Sequence, residues 1–242
     1  MSNPKESMMH LWDLIATIWD MVRSGKRRAK EVARWLQVVK DDPEFMKRPR
    51  GMLVLLTKTQ LSLAGATIFY KKHFGLTKDF SDLVVPRKPR GAYWLLVVAK
   101  GLTPMKVFAR CKALGWNCVS PDRDLDDTIP RSDRKADKDY AIWVEATLEA
   151  DENFEDKSYC DLEDLKIRGI TLLERLLLGL QYNDETDGHL DGVGSTLCSG
   201  SKYDDGQVPI VRGFALTSFL AVTECDSSKS GYKLRSRAVV ES

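Results

Sequence analysis

The sequence predicts an α+β fold: an N-terminal helical region followed by a mixed domain in which a Leu-rich helix packs on a largely antiparallel sheet. Two observations carry this expectation. Apolar residues recur at three- and four-residue spacing in some segments and in short continuous or alternating runs in others, which are the periods of helices and strands. The segment Thr171-Leu172-Leu173-Glu174 fits a capping box, and the helix it opens carries Leu172, Leu173, Leu176, Leu177 and Leu180 on a broad apolar face.

Taken in order, residues 5–40 read as two amphipathic helices. Leu11, Leu14, Ile15, Ile18, Trp19 and Val22 form one stripe, Ser24-Gly25 breaks it, and Val32, Trp35, Leu36 and Val39 form the next. Met52 to Leu56 is a candidate strand. A helix follows from Thr59 to about His73, with Gly75 in a C-cap position. Pro86, Pro89 and Gly91 punctuate a basic stretch, which places a boundary between a helical region, 1–85, and an α+β domain, 91–242.

In the second region Tyr93 to Val98 is a continuous apolar run, expected as a central strand. Thr103-Pro104 supplies an N-cap and a proline at the first helical position, and that helix should stop at Gly115. A short strand over Trp116 to Val119 comes next, then a long loop from Pro121 to Asp139, then a strand over Tyr140 to Val144. After the Leu-rich helix, Asp205-Gly206 marks a turn. Val208 to Val211 and Phe219 to Val222 are strands separated by Gly213, residues 226–231 are a loop, and Leu234 to Val240 is a closing strand.

With 242 residues, 43% hydrophobic and 30% charged, the chain is long enough to bury a sizeable core. The net charge of +2 is too small to argue for nucleic acid from the total. No run approaches the roughly 18–20 apolar residues of a membrane span, and no secretory pattern opens the chain, so a cytoplasmic location is expected. Five cysteines without a CxxC pair indicate neither a zinc site nor a disulfide framework, and read as buried or half-buried thiols.

Signs of chemistry are sparse. His10, His73 and His189 are far apart, and each reads as a solvent-facing or loop residue. The cluster of Asp122, Arg123, Asp124, Asp126, Asp127, Arg131, Asp133 and Arg134 lacks the spacing of a Ca²⁺ loop and reads as a salt-bridged surface loop. Glu145, Glu149 and Asp151 are not singled out by their spacing as an acid–base pair. No GxGxxG, P-loop, GxSxG or HExxH motif is present, so no catalytic residue, metal or cofactor is expected.

From about Gly91 onward the chain resembles a bacterial family without an assigned activity. The resemblance rests on residues 97–104, Asp133-Arg134 with Tyr140-Ala141, Glu149-Ala150-Asp151, residues 169–175, Gly188 to Asp191, Leu197 to Ser201, Asp205-Gly206, Val208-Pro209 and Leu234 to Arg237. That family is similar in turn to the variable proteins of diversity-generating retroelements, in which mutagenesis directed at adenines rewrites a C-terminal cassette on a C-type-lectin-like fold. The resemblance implies that fold here, and a variable cassette between Tyr203 and Lys233. Residues 210–232 depart from the pattern: they hold no Asn and one Tyr, and Arg212, Gly213 and Phe214 stand where relatives carry a Trp.

Strand alternation gives the idea a physical footing. Side chains of a strand point to opposite faces in turn, so an outward set can change while an inward apolar set keeps the core. The expectation is a non-enzymatic binding protein that offers Tyr203, Asp204, Gln207, Ile210, Arg212, Ala221, Thr223, Ser227, Lys229 and Tyr232 to a protein or other macromolecule. The alternative is a nucleic-acid-associated regulator using the basic helix of Lys26, Arg27, Arg28, Lys30 and Arg34.

Overall fold

A computed structural model describes Trp19, Arg23, Ser24 and residues 63–120, 124–186, 188–214 and 218–241. The two expected N-terminal helices, with Lys26, Arg27, Arg28, Lys30 and Arg34, the strand over residues 52–56 and His10 lie outside the described residues, apart from Trp19 and Arg23, which are helical and exposed. The chain divides into two units, Met1–Lys58 and Thr59–Ser242. The second starts well before the boundary expected near residues 85–91.

Residues 63–74, labelled α1, explain why. Tyr70 on this helix is buried, donates its hydroxyl to the Val97 carbonyl at 2.8 Å and accepts the Ala99 amide at 3.0 Å. The helix is thereby fixed to the end of the first strand. Gly75, at φ 67°, takes the left-handed conformation that ends it.

The elements that follow are β1 (Tyr93–Val98), α2 (Pro104–Ala113), β2 (Asn117–Val119), α3 (Leu125–Thr128), β3 (Arg131–Ser132) and β4 (Tyr140–Glu145). A single 3₁₀ turn, Glu152–Phe154, precedes α4 (Tyr159–Asp164) and α5 (Leu172–Thr186). The chain closes with β5 (Ser195–Leu197), β6 (Ser201–Lys202), β7 (Val208–Phe214), β8 (Phe219–Cys225), β9 (Leu234–Ser236) and β10 (Val239–Val240). The described residues therefore hold both helices and sheets, an α+β arrangement.

Local signals act as the sequence predicts at several points. Thr103 caps α2 through its side chain, which accepts from the Lys106 amide, and Pro104 opens the helix. At α5, the Thr171 amide donates to Glu174 Oε2 at 2.8 Å and the Glu174 amide donates to Thr171 Oγ1 at 3.2 Å, a reciprocal capping box. All nine residues from Leu172 to Leu180 are buried. Fully burying a leucine side chain contributes about 1.5–3 kcal/mol, so this helix is a principal source of stability.

Three sheets form. β1, β4 and β10 make an antiparallel sheet in the order β1-β4-β10. A five-stranded sheet has the order β2-β8-β7-β5-β9, antiparallel at β7–β8 and β5–β7 and parallel at its two outer pairs. β3 and β6 form a short ribbon. Helix α5 packs on α2, β1 and β7, and so links both larger sheets within one core.

Three sequence expectations are corrected. The segment 121–139 is not one continuous loop: Asp124 caps α3, and β3 pairs with β6. Gly213 is not a turn but lies inside β7, where a Cβ would sit 2.5 Å from the Leu190 carbonyl oxygen. Glycine is needed there for close backbone approach. The closing strand is two strands in different sheets, because the chain leaves the five-stranded sheet at Arg237 and joins β4 from Val239.

Candidate functional site

Strands β7 and β8 are the longest among the described residues and pair over seven residues. Their register sets Ile210 opposite Thr223, Arg212 opposite Ala221, and Val211 opposite Val222. Directly opposed residues share a face. Val211, Val222 and Leu220 are buried in the main core. The other face exposes Arg212 and Thr223 and leaves Ile210 half-buried. Edge strand β2 extends that face: Val119 is aligned with Ala221 and Asn117 with Phe219, and both β2 residues are exposed.

The opposite end of the same face is covered. Leu162 of α4 packs with Leu197, Val208, Cys225 and Leu234 in a second small core, against which Ile210 and Tyr159 rest. Ser158 and Asp161 close a capping box at the start of α4. The Cys160 amide donates to the Ser227 carbonyl at 3.1 Å and holds the helix to the loop beyond β8. Lys202 lies over the Tyr159 ring, 3.8 Å from its centroid.

The ten residues expected at the site do not all belong to it. Arg212 and Thr223 are brought together on the open part of the face, and Ile210, half-buried, borders the part that α4 covers. Asp204, exposed, and Gln207, half-buried, stand on the turn before β7, and the Asp204 amide donates to the Thr128 carbonyl of α3. Ser227 and Lys229 lie on the loop after β8, and Tyr232 is 78% exposed beside Lys233. Two expectations are corrected. Tyr203 is wholly buried in the main core, because its amide and carbonyl close the turn with Gln207 and Gly206 while the ring turns inward. Ala221 is buried because its methyl lies between the longer side chains of Arg212 and Val119 in the neighbouring strands.

Beneath the face is a buried ionic network. Arg175 of α5 donates from Nη2 to Asp191 Oδ2 at 2.7 Å, and Arg237 donates from Nη2 to Asp191 Oδ1 at 2.8 Å. Thr196 also donates to Asp191, and Arg237 reaches the carbonyls of Thr147 and Leu148. Burial alone would raise the Asp191 carboxyl, but Arg175, then Arg237 and the Thr196 hydroxyl outweigh it and hold it below the usual range. A second network joins Arg134 to Glu174 through two hydrogen bonds, with Tyr140 donating to the same carboxylate. Glu149 accepts the amides of Val193 and Gly194.

Other candidate residues have structural surroundings. His73 is buried rather than solvent-facing: Nδ1 accepts from Arg110 Nε at 3.3 Å, and Nε2 lies 3.1 Å from Asp184 on α5. His189 is half-buried, edge-on to Trp116, and burial, with Arg175 nearby, lowers its pKa. All five cysteines are free; burial raises the thiols of Cys111 and Cys198, whereas Cys160 is exposed, contrary to expectation. Among the described residues no group of three His, Cys, Asp or Glu side chains is placed to hold a metal ion. None of their helices is long and apolar enough to cross a membrane.

No family model, curated protein or solved structure shows a significant match to this chain. The Arg175–Asp191–Arg237 network is what the sequence reading missed. Its signal was Arg175, Asp191 and Arg237 standing beside apolar residues in the segments 169–175, 188–191 and 234–237.

Proposed function

We propose that the chain is a non-enzymatic binding protein that presents the outer face of β7 and β8 to a protein ligand. The observation that carries this reading is the division of the strand pair: Ile210, Arg212 and Thr223 stand outward, while Val211, Leu220 and Val222 are buried. Substitutions at Arg212 and Thr223 leave the core untouched, whereas Ile210 also rests against the small core under α4. Arg212 and the flanking Ile210, Phe219 and Val119 provide the mixture of guanidinium, aromatic and aliphatic surface that supplies most affinity at protein interfaces.

The proposal includes a C-type-lectin-like fold and descent from the variable proteins of diversity-generating retroelements. Support comes from where the resembling segments lie. Leu197 to Ser201, Asp191, Arg175 and Arg237 are buried, so they are scaffold, while the suggested cassette contributes the outward residues. On this reading the gene stands next to a reverse transcriptase gene and an adenine-rich near-copy of codons 203–233.

The test is a display library of the full chain with positions 210, 212, 223, 229 and 232 randomised and selected on purified folded proteins. Specific binders that weaken when position 212 is changed to Ala are expected. A folded library that yields none contradicts the reading. Binding of the parent chain to duplex DNA with a steep salt dependence would instead favour a site at Lys26 to Arg34.

A further inference from the structure

The five-stranded sheet ends in two edges that differ. The β9 edge is covered: the Asp156 amide donates to the Leu234 carbonyl at 3.3 Å and the Asp151 amide to the Ser236 carbonyl at 3.0 Å. The β2 edge is open among the described residues, since β2 pairs with β8 alone. One bond sets its orientation. The Asn117 amide donates to the Ser218 carbonyl at 2.9 Å and so points toward β8. Successive residues of a strand turn their N–H and C=O to opposite edges, so both groups of Cys118 point away from β8. No described residue hydrogen-bonds to either. The open stretch starts at Cys118, because the Trp116 amide is taken by the Cys111 carbonyl at 3.1 Å.

Edge strands are ordinarily guarded by a charge, a proline, a bulge or a covering element. Asn117, Cys118 and Val119 carry neither charge nor proline, and their pairing with β8 runs without a bulge. What complements an extended row of N–H and C=O groups is another extended backbone. Cys118 offers one donor and one acceptor, too little to hold a partner unaided, so the adjoining face must contribute. Val119, 48% exposed, is aligned with Ala221, which stands opposite Arg212. A strand added at β2 would therefore lay alternate side chains beside Val119, on the face that carries Arg212.

We propose that the protein partner engages this chain through an extended segment that pairs with β2 and sets an apolar side chain beside Val119. The inference rests on the binding reading of the β7 and β8 face and names how a partner reaches it. Random twelve-residue peptides displayed on phage and panned against the immobilised full chain test it. Recovered peptides should lose about tenfold or more in affinity for Cys118→Pro, which lacks the outward N–H, and keep it for Cys118→Ala, which retains that group. Proline is tolerated on an edge strand whose N–H faces outward, and circular dichroism checks the fold of both variants.

A second measurement uses the parent chain alone. N-methylation of alternate peptide amides should abolish binding in one register, where the N–H meets β2, and spare it in the other. Recovery of no peptide, equal binding to a folded Cys118→Pro, or equal effects of the two methylation registers would each overturn the proposal. Peptides that ignore Cys118→Pro but are lost on Arg212→Ala would overturn this inference and leave the binding reading standing. Peptides that ignore both would contradict both.

Discussion

Arg175 on helix α5 and Arg237 just after β9 hold opposite oxygens of one buried carboxylate, that of Asp191. All three side chains are at most 1% exposed. The carboxylate thus ties α5 to the last turn of the chain, beneath the strands proposed to carry the binding face. Removing it leaves two guanidiniums in the interior without their counter-ion. Asp191→Ala should therefore destabilise the fold by about 3–5 kcal/mol, read from the denaturant midpoint. A loss within about 0.5 kcal/mol, the range of ordinary surface changes, would show that the network is dispensable.

Acid should weaken the fold through two carboxylates of this scaffold. Burial alone would raise Asp184, but His73 and Lys72 outweigh it and lower its pKa to about 2, and Asp191 is also held low. A carboxyl whose folded pKa is depressed stabilises the native state above its unfolded pKa, about 3.9, and that contribution disappears as the pH falls through the folded value. Thermal unfolding temperatures should thus fall between about pH 4 and pH 2. Asp184→Asn should flatten that limb; an identical pH profile in the variant would remove Asp184 from the explanation.

Gly213 sits where β7 passes Leu190. A methyl group at this position would lie 2.5 Å from the Leu190 carbonyl oxygen, which backbone cannot easily yield. Gly213→Ala should cost about 1–3 kcal/mol, as overpacked sites do, and shift the denaturant midpoint accordingly. An unchanged midpoint would mean that the two segments are not in contact.

The capping residue of α5 gives a smaller effect. Thr171 accepts the Glu174 amide, and Thr171→Ala removes one half of the box at the start of the buried helix α5. The expected loss is about 1 kcal/mol in denaturant unfolding, and Thr171→Ser should restore most of it. If both variants match the parent, the box contributes nothing.

What the sequence made legible is what a few neighbouring residues determine. Thr171 with Glu174, Thr103 with Pro104, and Gly75 each act within one helical turn, and each acts as predicted. The alternation of Ile210, Val211 and Arg212 is equally local, so the inward and outward sets of β7 were readable. Long-range geometry was not. Arg237 meets Asp191 across 46 residues and Arg175 meets it across 16, and no local pattern records either pairing. Tyr203 is polar enough for a surface turn, yet its ring is buried by a core assembled from distant strands. The covering of Val208 and Cys225 by α4 is of the same kind, since Leu162 has no sequence relation to either strand.

The display reading requires that outward positions vary freely on a fixed inner side. Two pools of the full chain settle this, one randomised at Arg212 and Thr223 and the other at Val211 and Val222, with the folded fraction of each measured by resistance to proteolysis on the cell surface. Most members of the outward pool should resist as the parent does, whereas the inward pool should be largely cleaved, because truncating or charging a core site costs about 2–5 kcal/mol. Equal cleavage of the two pools would contradict the reading.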